Sequence, residues 1–138
     1  MKELDLIPRL NSYINSLNLG LRSTIGILDT GNSMAIAPLP ANNDTVYMDG
    51  SRDREQNIQV LVKHSNGGAV FEMMNKLERE LSKLKELPSN NDTYTFNEIY
   101  TVSTPNLVGA DETGKFIYDL TIVASIHIYK GVVINGKN

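Results

Sequence analysis

Few residues in this chain have both the type and the spacing to do chemistry. The two histidines, His64 and His127, stand on separate strand-like segments, and neither has a second ligand at metal spacing, whereas zinc needs three or four convergent ligands. Asp49, Asp53 and Glu55 lie close enough in sequence to hold Ca²⁺, but the alternating oxygen ligands and closing glutamate of an EF-hand loop are missing. An exposed acidic turn accounts for them equally well. Gly67-Gly68 ahead of a helix could bind an anion through free N–H groups; with no Lys or Arg close by, capping is the stronger reading. Tyr94, Phe96 and Tyr100 alternate like a stacking platform for single-stranded RNA, yet their strand carries no Lys or Arg, and such platforms combine aromatics with positive charge. Core packing suits them better. There is no nucleophile elbow, GxxxxGK or GxGxxG. No catalytic residue, cofactor or metal is expected.

The bulk properties narrow the classes further. At 138 residues the chain has the size of one domain with one core. Thirteen Lys and Arg against sixteen Asp and Glu leave a net charge of -3, which gives no general pull toward phosphate backbones or anionic lipid. Neither a membrane nor specific nucleic acid is an expected partner. The absence of cysteine excludes disulfides, thiolate metal sites and cysteine nucleophiles. Glu3 and Asp5 near the start do not fit a secretory signal, no apolar run approaches the ~20 residues a bilayer needs, and a cytoplasmic product is expected. Asn43-Asp44-Thr45 and Asn91-Asp92-Thr93 fit the glycosylation pattern but read better as turns.

The elements that must position any site follow from periodicity. Leu6, Leu10, Ile14 and Leu17, with Ile7 and Tyr13 beside them, predict a helix over 4–19 with Pro8 in its first turn and Gly20 past its end. Imperfect alternation over 22–28 predicts a short strand. Asp29-Thr30-Gly31-Asn32 then turns into a second strand around Met34 and Ile36, forming a hairpin that Pro38 and Pro40 end. Thr45 to Met48 reads as a further short strand, Asp49-Gly50 as a turn, and 51–55 as exposed charged residues. Ile58, Val60 and Val62 share one face of a strand over 57–64. Ser65 or Asn66 then caps a helix over 67–87, whose stripe is Val70, Met73, Met74, Leu77, Leu81 and Leu84 and which Pro88 stops.

A strand over 93–103 places Tyr94, Phe96, Tyr100 and Val102 on one side. Its partner carries unbroken apolar even positions from Phe116 to Ile128, so long that a bend, a bulge or a protruding arm is expected. The loop between them, 104–115, is long enough to be functional. The fold class is α+β: a mostly antiparallel sheet with a long C-terminal β-hairpin, one long helix packed on it and an N-terminal helix, in the order α-β-β-β-β-α-β-β. It forms one domain over 1–138, with flexibility expected over 131–138. Leu61, Ile117 and Val123 stand among polar residues on the second sheet face, and either a partner subunit or the first helix covers them.

The run YMDGSRDREQNIQVLVKHSNGGAVFEMMNKLERELSKL over 47–84 resembles the central segment of the minor capsid proteins of long-tailed bacteriophages, a family similar to tail terminator or tail-completion proteins. TPNLVGADETGKFIYDLTI over 104–122 and GILDTGNSMAIAPLP over 26–40 resemble that family's later strand and early hairpin. The resemblance spans about residues 24–128 and implies a non-enzymatic virion protein of a phage or prophage. It further implies self-association into a ring, a hexamer, at the head-tail junction or tail end, beside tail-tube and head-completion proteins, after synthesis in the bacterial cytoplasm. The positions it marks as a candidate assembly interface are Asp49, Arg52, Asp53 and Arg54 in the charged turn, and Pro105, Leu107, Val108, Asp111 and Glu112 in the loop. A small dimeric α+β ligand-binding or regulatory domain is the alternative.

Overall fold

The computed structural model describes residues 2–103 and 105–134. The elements run α1 (Leu6–Ser16), β1 (Ser23–Ile25), β2 (Ser33–Val46), β3 (Arg52–His64), α2 (Gly67–Lys83), β4 (Tyr94–Thr101), β5 (Asn106–Ala110) and β6 (Phe116–Ile128). All strands join one six-stranded sheet in the order β1-β2-β3-β6-β4, with β5 also pairing β6. The α+β class, the two helices and the mostly antiparallel sheet agree with the sequence reading.

Four details differ. β1 runs parallel to β2, with Ser23 opposite Met34 and Ile25 opposite Ile36, so the two do not form a hairpin. Gly26, at φ 99°, turns the chain away from β1, and its N–H bonds the Ile36 carbonyl at 2.8 Å. Secondly, Pro38 and Pro40 do not end the pairing. β2 continues to Val46 through an irregularity between Pro38 and Asn42, where the interrupted ladder makes a missing N–H harmless. The short strand expected near Thr45 is therefore the far half of β2, and residues 52–55 begin β3 rather than forming an exposed turn.

The third difference lies in β4, where a bulge between Phe96 and Glu98 shifts the phase. Tyr94 and Ile99 are buried while Tyr100 and Val102 are exposed, so the four positions expected on one side are split. The fourth lies in the loop over 104–115, which contains β5. β6 is not a free arm: it pairs with β3 along its whole length, from Arg52 opposite Ile128 to His64 opposite Phe116, and the bulges fall in its other neighbours, β4 and β5.

Both helices pack on the same sheet face. Leu6, Leu10 and Ile14 of α1 join Val70, Met74, Leu77 and Leu81 of α2 over Met34, Ile36, Ile58, Val60, Val62, Leu120 and Ile122 in one buried cluster. The Tyr13 hydroxyl donates to the Glu80 carbonyl at 3.2 Å and Lys76 Nζ to that of Leu17 at 3.1 Å, tying the helices together. The face with Leu61 and Ile117 is thus left without a described helix. α2 starts as expected, with Asn66 Oδ1 accepting from the N–H groups of Gly68 (3.0 Å) and Ala69 (3.3 Å). It ends at Lys83, because Leu84 is extended (ψ 118°), four residues before Pro88.

Residues 3–5 and 132–134 are held to the domain. Asp5 accepts from Ser89 Oγ (2.6 Å), the Asn90 N–H (2.8 Å) and Thr93 Oγ1 (3.0 Å). Glu3 pairs with Val133 in a parallel bridge, and Val132 and Ile134 pack on the core. Residues 135–138 lie outside the described part.

Candidate functional site

His64, Asp49, Asp53, Glu55, Tyr94 and Tyr100 each have a local hydrogen-bond partner. His64 Nδ1 accepts from the Asn66 N–H at 2.9 Å, at the turn into α2. Asp49 accepts from the Ser51 N–H (2.9 Å) and Oγ (2.6 Å), bonds that hold its carboxyl below the usual carboxylate range. Asp53 is lowered in the same way, first by the Tyr47 hydroxyl and then by His127, whose Nδ1 is 2.8 Å from Asp53 Oδ1. Glu55 accepts from the Tyr100 hydroxyl at 2.9 Å. These carboxylates do not converge, and among the described residues no cluster of three or more His, Asp or Glu could hold a metal. The Gly68 N–H is taken by the Asn66 cap. Tyr94 is buried and donates to the Leu87 carbonyl at 2.7 Å, and its burial pushes the hydroxyl pKa upward. Separated by the bulge, Tyr94 and Tyr100 make no stacking platform. No described helix is long and apolar enough to cross a membrane.

The two segments marked for assembly fall at opposite ends of the sheet. Asp49 and Arg52 belong to the β2–β3 turn and its exit, beside the last residues of β6. β5 pairs with the first residues of β6, Leu107 opposite Tyr118 and Ala110 opposite Phe116. Twelve strand steps separate the two ends of β6, about 40 Å at ~3.3 Å per residue. The fold does not bring these residues together; it presents them as two separate surfaces.

The first surface is a braced tip. The Tyr47 N–H bonds the Ser51 carbonyl at 2.8 Å and the Gly50 N–H bonds that of Tyr47 at 3.0 Å. Gly50, at φ 91°, supplies the left-handed residue of the turn. Behind the tip, Arg54 is almost wholly buried. Its Nε and Nη2 reach the two oxygens of Asp44 at 2.7 and 2.8 Å, and Nη1 reaches Gln56 Oε1 at 3.1 Å. Arg52 Nη1 adds a contact to Asp44 at 3.2 Å. These arginine contacts, led by the Arg54 hydrogen bonds, lower the Asp44 pKa. Gln56 Nε2 in turn donates to the Leu39 carbonyl at 3.0 Å, inside the β2 irregularity, so each polar group buried here is satisfied. Arg54 supports the tip from behind, while Asp49 and Met48 lie at its surface.

The second surface is the β5–β6 hairpin. All five residues of β5 are exposed, including Leu107 and Val108; Pro105 is half-buried and Glu112 exposed. Its turn is built on Asp111, which accepts from the Thr113 N–H (3.0 Å), Thr113 Oγ1 (2.8 Å) and the Lys115 N–H (2.9 Å), and lies 3.6 Å from Lys63 Nζ. These contacts, the Lys115 N–H first, hold the Asp111 carboxyl at about 2.

Among the large exposed side chains that sequence reasoning missed are Met48 at the tip, and Phe71 and Phe116 near the hairpin. A signal existed for Phe71, which lies on the flank of the α2 stripe, about 100° around the helix from Val70. Phe116 continues the even-numbered apolar series of β6 and gives no sequence sign that it lies beyond the core.

Residues 13–128 match the model of a family described as Bacteriophage tail terminator protein. No curated protein sequence matches. Among solved structures, a chain from the virion of a native gene transfer agent (GTA) particle is similar, with a TM-score of 0.54, 12% identity, and coverage of 86% of this chain and 87% of that chain. At that identity the likeness is one of fold. The family match spans most of the domain, from α1 through the end of β6, and agrees with the resemblance read from residues 47–84 and 104–122. This chain belongs to the bacteriophage tail terminator family and is a structural protein of the phage virion.

Proposed function

We propose that the chain is a non-enzymatic ring subunit, six copies of which close the end of a phage tail at the junction with the head. Tail-tube and head-completion proteins are its neighbours on either side. Asp49, Arg52 and Asp53 at the tip, and Pro105, Leu107, Val108, Asp111 and Glu112 at the hairpin, form its assembly surfaces, with Arg54 bracing the first. The observation that carries this reading is the placement of these surfaces at opposite ends of one sheet. Two unlike surfaces on one chain allow heterologous contacts, which generate a ring when the rotation between neighbours closes. A non-enzymatic role is supported by the histidines and carboxylates described above, each engaged in a turn, a cap or a strand pair.

The test combines light scattering on purified protein over a wide concentration range, electron microscopy of the product, and a phage lacking the gene. Rings of uniform size, and tails that fail to join heads without the protein, are expected. Normal infectious particles without the protein would overturn the proposal.

A further inference from the structure

Asparagine is followed by glycine at Asn66-Gly67 and at Asn135-Gly136, and the first pair lies within the described residues. A main-chain nitrogen can attack the amide carbon of the asparagine before it, and a residue without a β-carbon leaves that approach least hindered. Asn66 is exposed, and among the described residues its Nδ2, the group that would leave, has no hydrogen-bond partner. Its Oδ1 is the cap of α2, and the first turn of that helix carries no acidic residue.

We propose that Asn66 is a site of spontaneous covalent modification, converted to aspartate and isoaspartate through a cyclic imide, and that the α2 cap sets its rate. In the first step the Gly67 nitrogen bonds to Asn66 Cγ and the Cγ–Nδ2 bond breaks. The proton of the Gly67 N–H leaves with the amide as ammonia. Water then opens the ring. Hydrolysis at Cγ gives aspartate; hydrolysis at the main-chain carbonyl gives isoaspartate, whose backbone runs through the side chain. The conversion needs no oxidant, and each event adds one negative charge to a net of -3.

The fold opposes the first step. Ring closure needs Cγ over the Gly67 nitrogen, whereas Asn66 is extended at ψ 107° and its oxygen is held by the N–H groups of Gly68 and Ala69. The His64 ring adds to the hold by accepting from the Asn66 N–H. Cyclisation therefore passes through an opened first turn of α2, a local opening that leaves the rest of the domain folded.

The two products leave different helix starts. Aspartate keeps a capping oxygen and brings a carboxylate to the end of the helix that favours negative charge. Isoaspartate inserts a backbone atom ahead of Gly67, which has little room to shift: a β-carbon there would already stand 2.9 Å from the Tyr118 hydroxyl.

The test ages purified full-length protein in mildly alkaline buffer and maps its peptides by mass spectrometry, with fragmentation that separates isoaspartate from aspartate. Asn66 is expected to convert faster than every asparagine followed by a side chain. Unfolding in urea is expected to raise its rate about fivefold or more, the factor that corresponds to one helix cap. Asn66→Ser, which keeps a capping oxygen but has no amide, should lose both products with circular dichroism unchanged. After ion-exchange separation the aspartate form should melt with Asn66→Asp, at or above the parent, and the isoaspartate form about 3 °C or more below it. Asn66 left intact after other asparagines have converted overturns the site. Equal rates with and without urea overturn the control by the cap, and an isoaspartate form that melts with the parent overturns its effect on α2. None of these readouts depends on ring assembly.

Discussion

Arg54 grips Asp44 with two nitrogens, one on each carboxylate oxygen, and so joins β3 to the part of β2 that lies beyond its irregularity. Arg52 Nη1 adds a weaker contact to the same carboxylate at 3.2 Å, so Asp44 is the point at which the far half of β2, from Asn42 to Val46, is tied to β3 by side chains as well as by strand hydrogen bonds. It is the main side-chain brace of the hairpin that carries Met48.

Asp44→Ala leaves the Arg54 charge nearly buried and unpaired, and a loss of about 3 kcal/mol is expected, the scale for breaking a buried pair from one side. Urea unfolding measures it. Because the folded Asp44 pKa lies below its unfolded value of 3.8, its contribution is complete above about pH 4 and is lost as pH falls through the folded value. The wild-type urea midpoint should therefore fall more steeply than that of Asp44→Ala on acidification below about pH 4.

Asp111 organises the β5–β6 turn in the same charge state. Its carboxyl is expected to titrate near 2 by carbon-detected NMR, with the amide shifts of Thr113 and Lys115 following the same curve. The anchoring is complete above about pH 4 and lost as pH falls through about 2. Asp111→Ala should remove the curve and broaden the β5 resonances; unchanged Thr113 and Lys115 shifts in that variant would contradict the assignment.

Gly67 opens α2 against the Tyr118 ring. A β-carbon there would stand 2.9 Å from the Tyr118 hydroxyl but 3.9 Å from the ring carbon bearing it. Gly67→Ala is expected to cost about 1 kcal/mol through overpacking, since Tyr118 is pinned by burial and by Phe71. Combining it with Tyr118→Phe removes the blocking oxygen, and a double-mutant cycle should recover most of that loss.

Asn15→Ala exposes the backbone groups of Ser23 that the amide now covers. A loss of about 1 to 2 kcal/mol is expected from the two unsatisfied groups at this buried residue. Irregular aggregation, followed by turbidity on storage, should rise together with it, because an uncovered edge invites strand pairing.

The parts of the fold legible in the sequence were those whose period was uninterrupted. β3 from Ile58, the Asn66 cap with the α2 stripe, and the even positions of β6 each repeat one spacing without a break. Where the chain spends extra residues, period reading fails: the irregularity between Pro38 and Asn42 hides the continuity of β2, and the bulge after Phe96 puts Tyr100 on a different side from Tyr94. The direction of β1 depends on its pairing with β2 and on the Asn15 bonds, and the seat of α1 on Asp5 meeting residues 89–93. None of these leaves a local trace. For the candidate site, the polar turn and the loop were visible as segments, but their separation followed only from the β3–β6 register. Phe71 was marked by its place on the flank of the α2 stripe, whereas the exposure of Met48 and Phe116 has no counterpart in their spacing, since apolar residues at core spacing and at a surface look alike.

β6 is the neighbour of three strands and follows all three in the sequence. During synthesis β4 and β5 have no strand to pair with, and one side of β3 stays open, until residues 116–128 leave the ribosome. The β3–β6 pairing, which joins Arg52 to Ile128, is distant in sequence and slow to form, whereas β5 and β6 close as a local hairpin. Leu107, Tyr118 and Phe116 are drawn together only by that final strand. Residues 116–128 thus complete three strand pairings at once, and the sheet beyond β3 exists only when they are in place.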